Sequence, residues 1–451
     1  MIDTHCHLEM SAFDSDRNDV IKRARAAGLE ALLAIGSDFD GNKGAVALAE
    51  EYDDIFAAVG MHPHDAKDFT PAFFNQIKMW AANRKVVAVG EIGLDYHYDH
   101  SPREMQRTVF KQQLDFAREA GLPVVIHSRE AKEDTLSILK DSGIKQGVMH
   151  CFSGEQDMAE RALAMGLYIS FAGPVTFKNA SGLREIAKII PDEYLLVETD
   201  APYLAPVPVR GKRNEPAFVV HTARFLAELR DVSLEDIDRI TTINAKRLFN
   251  IGELPSAQIA YKIRDSLYLN ITNRCTSKCV FCVRFTTDFV KGHNLRLAHE
   301  PSVKEMIDAI GDPLRYKEIV FCGYGEPMLR LDTVKSVAAW VKQQGGRVRI
   351  NTNGHGNLIH KRNILPELQG LVDAVSVSLD AQDEKTYRQV CKPAFDNAFQ
   401  EVINFIREAK LFIPDVKATV VAAEGVDVDK CRVLADELGV QLRVRKLDSV
   451  G

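Results

Sequence analysis

Ile2-Asp3-Thr4-His5-Cys6-His7 opens the chain with a short strand-like run ending in two histidines. Alternate residues of a strand share a face, so both imidazoles can reach one metal ion. The same arrangement, an apolar or β-branched run closed by a ligating side chain, recurs downstream. Val86–Glu91 ends in Glu91, Pro123–His127 in His127, Gly147–His150 in His150, and Leu195–Thr199 runs into Asp200. Further strands are expected at Ala31–Ile35, Phe56–Gly60 and Leu167–Ser170. Helical patterns separate them. In one, Ser101 is expected to cap with Glu104 completing a capping box, Pro102 takes the first position, and Gly121 ends the helix before Pro123. Strands alternating with helices over about 250 residues predict an α/β fold of the TIM (β/α)8-type barrel, with a doubly wound sheet as the alternative. In a parallel barrel those ligand-bearing strand ends meet at one mouth. Four histidines and two carboxylates have the stoichiometry of a two-metal site.

Composition sets the limits around this reading. The chain has 451 residues, 46% hydrophobic and 27% charged, which excludes a disordered or collagen-like chain. No apolar run reaches the roughly 18 residues of a membrane span, so no membrane partner is expected. Met1 is followed by neither a basic start nor an apolar leader, so a cytoplasmic location is expected. The net charge of −6 is unevenly spread. Residues 1–252 hold 29 Lys and Arg against 38 Asp and Glu, and the remainder 28 against 25. Histidines divide nine to four towards the first part, cysteines six to two towards the second. Neither part is a strongly basic nucleic-acid grip, so polyanion contact must rely on local patches or bound metal.

The organisation expected is a barrel domain over residues 1–252, a linker over 253–262 and a second domain over 263–451. Strands in the second domain are expected at Ser266–Ile271, Glu318–Phe321, Arg347–Asn351, Ala374–Leu379, Val416–Val421 and Gln441–Arg445. Six strands make a partial (β/α)6 barrel.

The first domain resembles the TatD family of metal-dependent deoxyribonucleases. The resemblance rests on His5-Cys6-His7, Met61-His62-Pro63-His64, Gly90-Glu91-Ile92-Gly93-Leu94-Asp95-Tyr96, Ile126-His127-Ser128-Arg129, His150-Cys151-Phe152-Ser153-Gly154 and Glu198-Thr199-Asp200-Ala201-Pro202-Tyr203. It implies that His5, His7 and Asp200 hold one divalent ion (Mg, Mn or Zn), that His127 and His150 hold another, and that Glu91 bridges them. Asp200 would orient the attacking water or take its proton. His62 and His64 would contact substrate phosphate or protonate the leaving oxygen. Arg129 and Arg213 would hold the polyanion, with structural ion pairs as the alternative. The activity implied is a 3′–5′ exonuclease with single-stranded DNA foremost among its substrates.

The second domain carries Cys275-Thr276-Ser277-Lys278-Cys279-Val280-Phe281-Cys282. Three thiolates in this spacing leave one iron of a cluster open for a small molecule, whereas structural zinc wants a fourth ligand. Together with Gly323-Tyr324-Gly325-Glu326-Pro327, this run resembles the radical S-adenosylmethionine superfamily. The resemblance implies a [4Fe-4S] cluster on Cys275, Cys279 and Cys282, and S-adenosylmethionine held by Gly323, Gly325, Glu326 and Pro327. Looser matches are Thr352, Ser378, Asp380 and Lys417, with a strand-edge surface lysine as the alternative for the last. It also implies an electron donor such as flavodoxin or ferredoxin and a 5′-deoxyadenosyl radical whose target is unknown. The expectation is therefore a bifunctional fusion. Two alternatives stand beside it: a barrel that hydrolyses another ester or amide, and a barrel that docks substrate for the radical domain.

Overall fold

Eight parallel strands form the first sheet in sequence order: β1 (Ile2–Cys6), β2 (Ala31–Ile35), β3 (Ile55–Val59), β4 (Val86–Asp95), β5 (Val124–Arg129), β6 (Gly147–Met149), β7 (Tyr168–Phe171) and β8 (Leu195–Val197). The computed structural model of the chain describes residues 1–445. It divides into two units between Leu254 and Pro255. In the first unit the barrel closes beyond the last formal strand. His7 N donates to Ala201 O at 2.7 Å, and Asp200 N donates to His5 O at 2.9 Å. Below them the buried Asp3 carboxyl accepts from Thr199 N at 2.9 Å and from its hydroxyl at 2.6 Å. The expected TIM barrel is thus observed, with apolar strand and helix faces packed into its core.

β4 is longer than the sequence suggests. All ten of its residues are buried, and its pairing with β5 is irregular between Val89 and Ile92, around Glu91. Gly93 has φ +144°, and a Cβ there would stand 1.9 Å from His127 O. The helix Arg103–Ala120 ends at Gly121 in the left-handed region, as expected. Its expected capping box does not form. The Ser101 hydroxyl instead donates to His64 O at 2.6 Å and accepts from Lys67 N at 3.0 Å. The capping group is spent on the turn that carries His62 and His64.

In the second unit, β10 (Ser266–Asn270), β13 (Ile319–Cys322), β14 (Val348–Thr352), β15 (Ala374–Ser378), β16 (Asp415–Val421) and β17 (Gln441–Arg445) are parallel neighbours. These are the six expected strands. The sheet is nevertheless mixed, because β9 (Ala260–Ile263) adds an antiparallel edge beside β10. Part of the expected 253–262 linker is therefore strand, and Gln258 N also donates to Asn294 O at 2.8 Å. The hairpin β11 (Phe289–Val290) and β12 (His293–Asn294) stands apart as a two-stranded sheet. Among the described residues, no helix is long and apolar enough to cross a membrane.

Candidate metal centre and candidate cluster site

β1, β4, β5, β6 and β8 each bring a side chain to the mouth of the first barrel. His5 Nε2 lies 3.3 Å from His7 Nε2, 3.4 Å from Glu91 Oε2 and 3.7 Å from Asp200 Oδ1. His7 Nε2 lies 3.7 Å from Glu91 Oε2 and 3.5 Å from Asp200 Oδ1. A tetrahedral ion with bonds of about 2.0–2.1 Å has ligand–ligand edges of about 3.4 Å, so these four atoms fit one ion. Asp200 reaches the site from a left-handed backbone, φ +57°.

The other Glu91 oxygen faces a second set. Glu91 Oε1 lies 2.7 Å from His150 Nε2 and 2.8 Å from His127 Nδ1, and those two nitrogens are 3.2 Å apart. Neighbours fix which nitrogen is free. His7 Nδ1 donates to Ile35 O at 2.9 Å, leaving Nε2 for metal. His127 Nε2 donates to Asp95 Oδ2 at 3.1 Å, leaving Nδ1. Such outer partners orient ligating imidazoles and raise their basicity. His150 Nδ1 stands 3.4 Å from Glu198 Oε1, and Glu9 Oε1 lies 3.5 Å from His7 Nδ1.

His62 Nε2 sits 3.4 Å from Glu91 Oε1, close enough to join Glu91 and His127 around an ion. Its Nδ1, however, already accepts from His64 N at 3.2 Å. Burial pushes the ring down to about 4, so at neutral pH it is uncharged. The single ring proton then belongs on Nε2, which makes His62 a hydrogen-bond donor into the site.

The ion-free electrostatics show how strained the cluster is. Burial alone would raise Glu91, but the surrounding His150, His62 and His127 hold its carboxyl well below the usual carboxylate range. Asp200 behaves likewise, its burial outweighed by His7, His5 and His150. Burial would lower His7, yet Asp200, Glu9 and Glu91 carry it well above an ordinary imidazole. The buried His5 Nδ1 and Glu198 Oε2 find no hydrogen-bond partner. A cation pair fits this donor set, because it relieves the carboxylates without requiring the imidazoles to be charged.

The remaining expected residues of the first unit lie as follows. His64 Nε2 is bonded to Asp95 Oδ2 at 3.0 Å. The exposed Arg129 stacks over the Tyr98 ring at 4.8 Å and makes no carboxylate pair among the described residues. Arg213 is tied to Asp16 at 2.8 Å and to Ala12 O at 2.7 Å, an ion pair that anchors its own loop. Asp95, Glu198 and Glu9 were not singled out from sequence, although Asp95 and Glu198 lie within the quoted motifs.

In the second unit Cys275, Cys279 and Cys282 are half-buried on the loop after β10. A distant segment pins that loop: Lys278 N donates to Cys391 O at 3.0 Å, Val280 N to Val390 O at 2.9 Å, and Ala394 N to Thr276 O at 2.8 Å. Burial pushes the Cys275 thiol up to about 12 and raises Cys282, so both ionise readily only beside a cation. Three soft sulfur donors on one short loop fit an iron–sulfur cluster.

The glycine motif packs against the same loop. A Cβ on Gly325 would stand 2.2 Å from Arg274 O, and Gly323 has φ +100° with Asn270 Oδ1 2.6 Å from a built Cβ. The Glu326 carboxyl accepts from Thr352 Oγ1 at 2.7 Å, Asn353 N at 2.8 Å and Met328 N at 2.9 Å. Pro327 begins the short turn that follows. Asn353, unmarked in the sequence reading, bonds Thr276 Oγ1 at 2.8 Å and lies 3.8 Å from Cys275 Sγ. Ser378 is half-buried at the end of β15, and Asp380 is buried with Oδ1 accepting from Val421 N at 3.2 Å. Lys417 lies on β16 with its Nζ 3.6 Å from Asp415.

Comparison with known proteins places each unit. Residues 2–250 match the family model described as TatD related DNase, and residues 269–438 that of the radical SAM superfamily. A metal-dependent hydrolase of Bacillus subtilis, YabD, whose function is uncharacterised, is 48% identical over 254 residues, covering 56% of this chain and 100% of that one. The 3′-5′ ssDNA/RNA exonuclease TatD of Erwinia tasmaniensis is 38% identical over 259 residues, 56% of this chain and 100% of its own. Among solved structures, the TatD homologue YJJV of Escherichia coli superposes with a TM-score of 0.54 at 33% identity, covering 56% of this chain and 98% of that one.

Proposed function

We propose that this chain, which belongs to the TatD-related DNase family, cleaves phosphodiester bonds of single-stranded nucleic acid from the 3′ end. Its domains are those of a metal-dependent hydrolase and a radical SAM enzyme. The observation that carries the first half is the division of Glu91: Oε2 faces the His5, His7 and Asp200 atoms, Oε1 those of His127 and His150. Bound there, two divalent cations supply an acidified water and stabilise charge on the phosphoryl oxygens.

The protein's own groups do the rest. His5, His7 and Asp200 would hold one cation and His127 and His150 the other, with one Glu91 oxygen facing each group. Asp200, kept ionised by its histidine neighbours, receives the proton of the attacking water. His62 donates from Nε2 to a phosphoryl oxygen. Arg129, which has no carboxylate partner among the described residues, pairs with a flanking phosphate. Arg213 is occupied by Asp16 and shapes the loop beside them. The Erwinia relative's activity, a 3′–5′ exonuclease on single-stranded DNA and RNA, supports the direction and the single-stranded substrate.

In the second unit Cys275, Cys279 and Cys282 would hold a [4Fe-4S] cluster, whose chemistry would be one-electron reductive cleavage of S-adenosylmethionine. Gly323 and Gly325 keep the motif backbone close to the cluster loop. Thr352 acts through Glu326, because its hydroxyl donates to that carboxyl. Ser378 and Asp380, at and just beyond the end of β15, contribute strand-end contacts to the cofactor, and Lys417 contributes one from within β16. A flavodoxin or ferredoxin is the electron donor.

The test is an assay of the full chain with Mn²⁺ on 5′-labelled single-stranded DNA and RNA. Stepwise shortening from the 3′ end is expected, and His127→Ala should abolish it while anaerobic cleavage of S-adenosylmethionine continues. A wild-type chain that binds two cations yet leaves every oligonucleotide intact refutes the nuclease reading.

A further inference from the structure

An open cleft of about 640 Å³ lies between the loops that follow β6 and β7. Both loops leave the carboxyl ends of their strands, so the cavity is on the barrel face that carries the metal centre. Ser153, on its wall, is three residues beyond His150, and chain reach keeps their Cα atoms within about 11 Å. The size lies within the range of roughly 300–1,000 Å³ usual for small-molecule sites. None of the residues assigned above to cations or phosphate lines it.

The lining selects a ligand chemistry. Phe177, Pro174, Leu183 and Ile186 supply apolar surface, and Ser153 and Asn179 supply hydrogen-bonding groups at its edge. Glu155 and Glu185 also border it, which disfavours a phosphate inside. Arg210 stacks on one face of the Phe177 ring, its guanidinium carbon 3.6 Å from the centroid, which leaves the ring's other face and its edge for a ligand. A flat, uncharged ring with polar edges, attached to an anionic backbone that stays outside, matches this lining. Sequence-tolerant readers of unpaired strands use aromatic faces in this way, with basic residues tracking the backbone.

We propose that this cavity is a nucleobase subsite: it takes one unpaired base of the substrate strand, near the scissile phosphate, against Phe177. The inference rests on the nuclease reading above. A base can enter only when it is not paired in a duplex, so the cavity selects single strands and frayed ends. Phe177 and the cavity floor contribute binding; they touch no reacting atom.

Two variants test it. Gly182 borders the cavity, and a Cβ built there meets no heavy atom within 4 Å, so Gly182→Trp fills the space without a clash at its first carbon. Phe177→Ala removes the aromatic wall, and Phe177→Trp should restore it. Binding is read with a 2-aminopurine oligonucleotide and Ca²⁺ as the cation, turnover with Mn²⁺. Bis(2,2,2-trifluoroethyl) phosphate, an aliphatic diester with no ring, reports the metal centre alone. Both disruptive variants should weaken oligonucleotide binding and raise KM by about five- to 150-fold, the equivalent of the ~1–3 kcal/mol of one base–aromatic contact. Hydrolysis of the simple diester should be unchanged. An oligonucleotide with an abasic position at the subsite should bind wild type and variants equally. If the wild type degrades oligonucleotides and Gly182→Trp binds them as tightly, the subsite is refuted while the nuclease stands. If the wild type hydrolyses the simple diester but no oligonucleotide, the nuclease reading falls and the subsite with it.

Discussion

Asp95→Asn should detach one of the two cations and leave the other. The buried carboxyl serves four donors: Oδ1 accepts from His97 N at 3.0 Å and Tyr98 N at 2.9 Å, Oδ2 from His127 Nε2 at 3.1 Å and His64 Nε2 at 3.0 Å. Burial opposes its charge, but the bonds from His127 and His64 keep it well below the usual carboxylate range. An asparagine has one acceptor oxygen, which can serve the two backbone amides or the two imidazoles but not both pairs. If the amide nitrogen faces His127, Nε2 must become the acceptor and the proton moves to Nδ1, the atom aimed at the metal. A hydrogen bond to a charged group contributes about 1.5–3 kcal/mol, which is about 10- to 150-fold in affinity. Loss of an outer-shell partner typically costs about 10- to 100-fold, in agreement. Calorimetric titration of Mn²⁺ into the chelator-stripped chain should show one site unchanged and one weakened by that factor. Two unchanged sites, or two equally weakened ones, would contradict the assignment of His127 and His7 to different cations.

Three further outcomes are expected. His7, His150 and His127 are raised above an ordinary imidazole in the ion-free protein, against the effect of burial, chiefly by Asp200 and Glu9, by Glu91 and Glu198, and by Asp95 and Glu91 respectively. A raised histidine stabilises fully below its unfolded value of about 6.5 and loses that contribution as pH climbs through the folded value. The chelated first unit should therefore melt higher at pH 6 than at pH 9, and metal should reverse the order because protons compete for the ligands; an unreversed order in thermal scans refutes this. Burial pushes Asp380 up to about 6, so its charged form is a liability above that pH and costs nothing below the unfolded value of about 3.8. Asp380→Asn should add up to about 3 kcal/mol in urea unfolding at pH 8 and nothing near pH 4. Anaerobically reconstituted wild type should be brown, and Cys279→Ala should lose the visible absorption; a variant with undiminished iron and sulfide would sink the cluster assignment.

The barrel was legible because burial on both faces leaves its strands as apolar runs. Ala31–Ile35, buried along its whole length, has the boundaries read from sequence. β9 was not legible: Ala260–Ile263 is a short edge strand of mixed polarity, held by pairing that only the folded sheet supplies. Ser101 carried a true capping pattern, but the loop around His64 competed for the same hydroxyl. At the candidate site, His5, His7, Glu91, His127, His150 and Asp200 stood out because each follows an apolar or β-branched run in the sequence, although Glu91 and His127 prove to lie inside β4 and β5. Asp95, Glu198 and Glu9 did not, since a carboxylate that supports a ligand is marked by what it touches. The same holds for Asn353, whose amide meets the Thr276 hydroxyl only in the folded chain.

The seam where the barrel closes has a consequence for how the protein is made. Asp3 and Thr199 are 196 positions apart, and the neighbouring His5 and Asp200 meet only when that seam zips. A nascent chain emerging from the ribosome therefore offers a bare His-x-His pair, with Asp200 still untranslated until 199 residues have been joined. Capture of the first cation thus waits for the last turn of the barrel. Metal loading becomes a report that the domain has been completed.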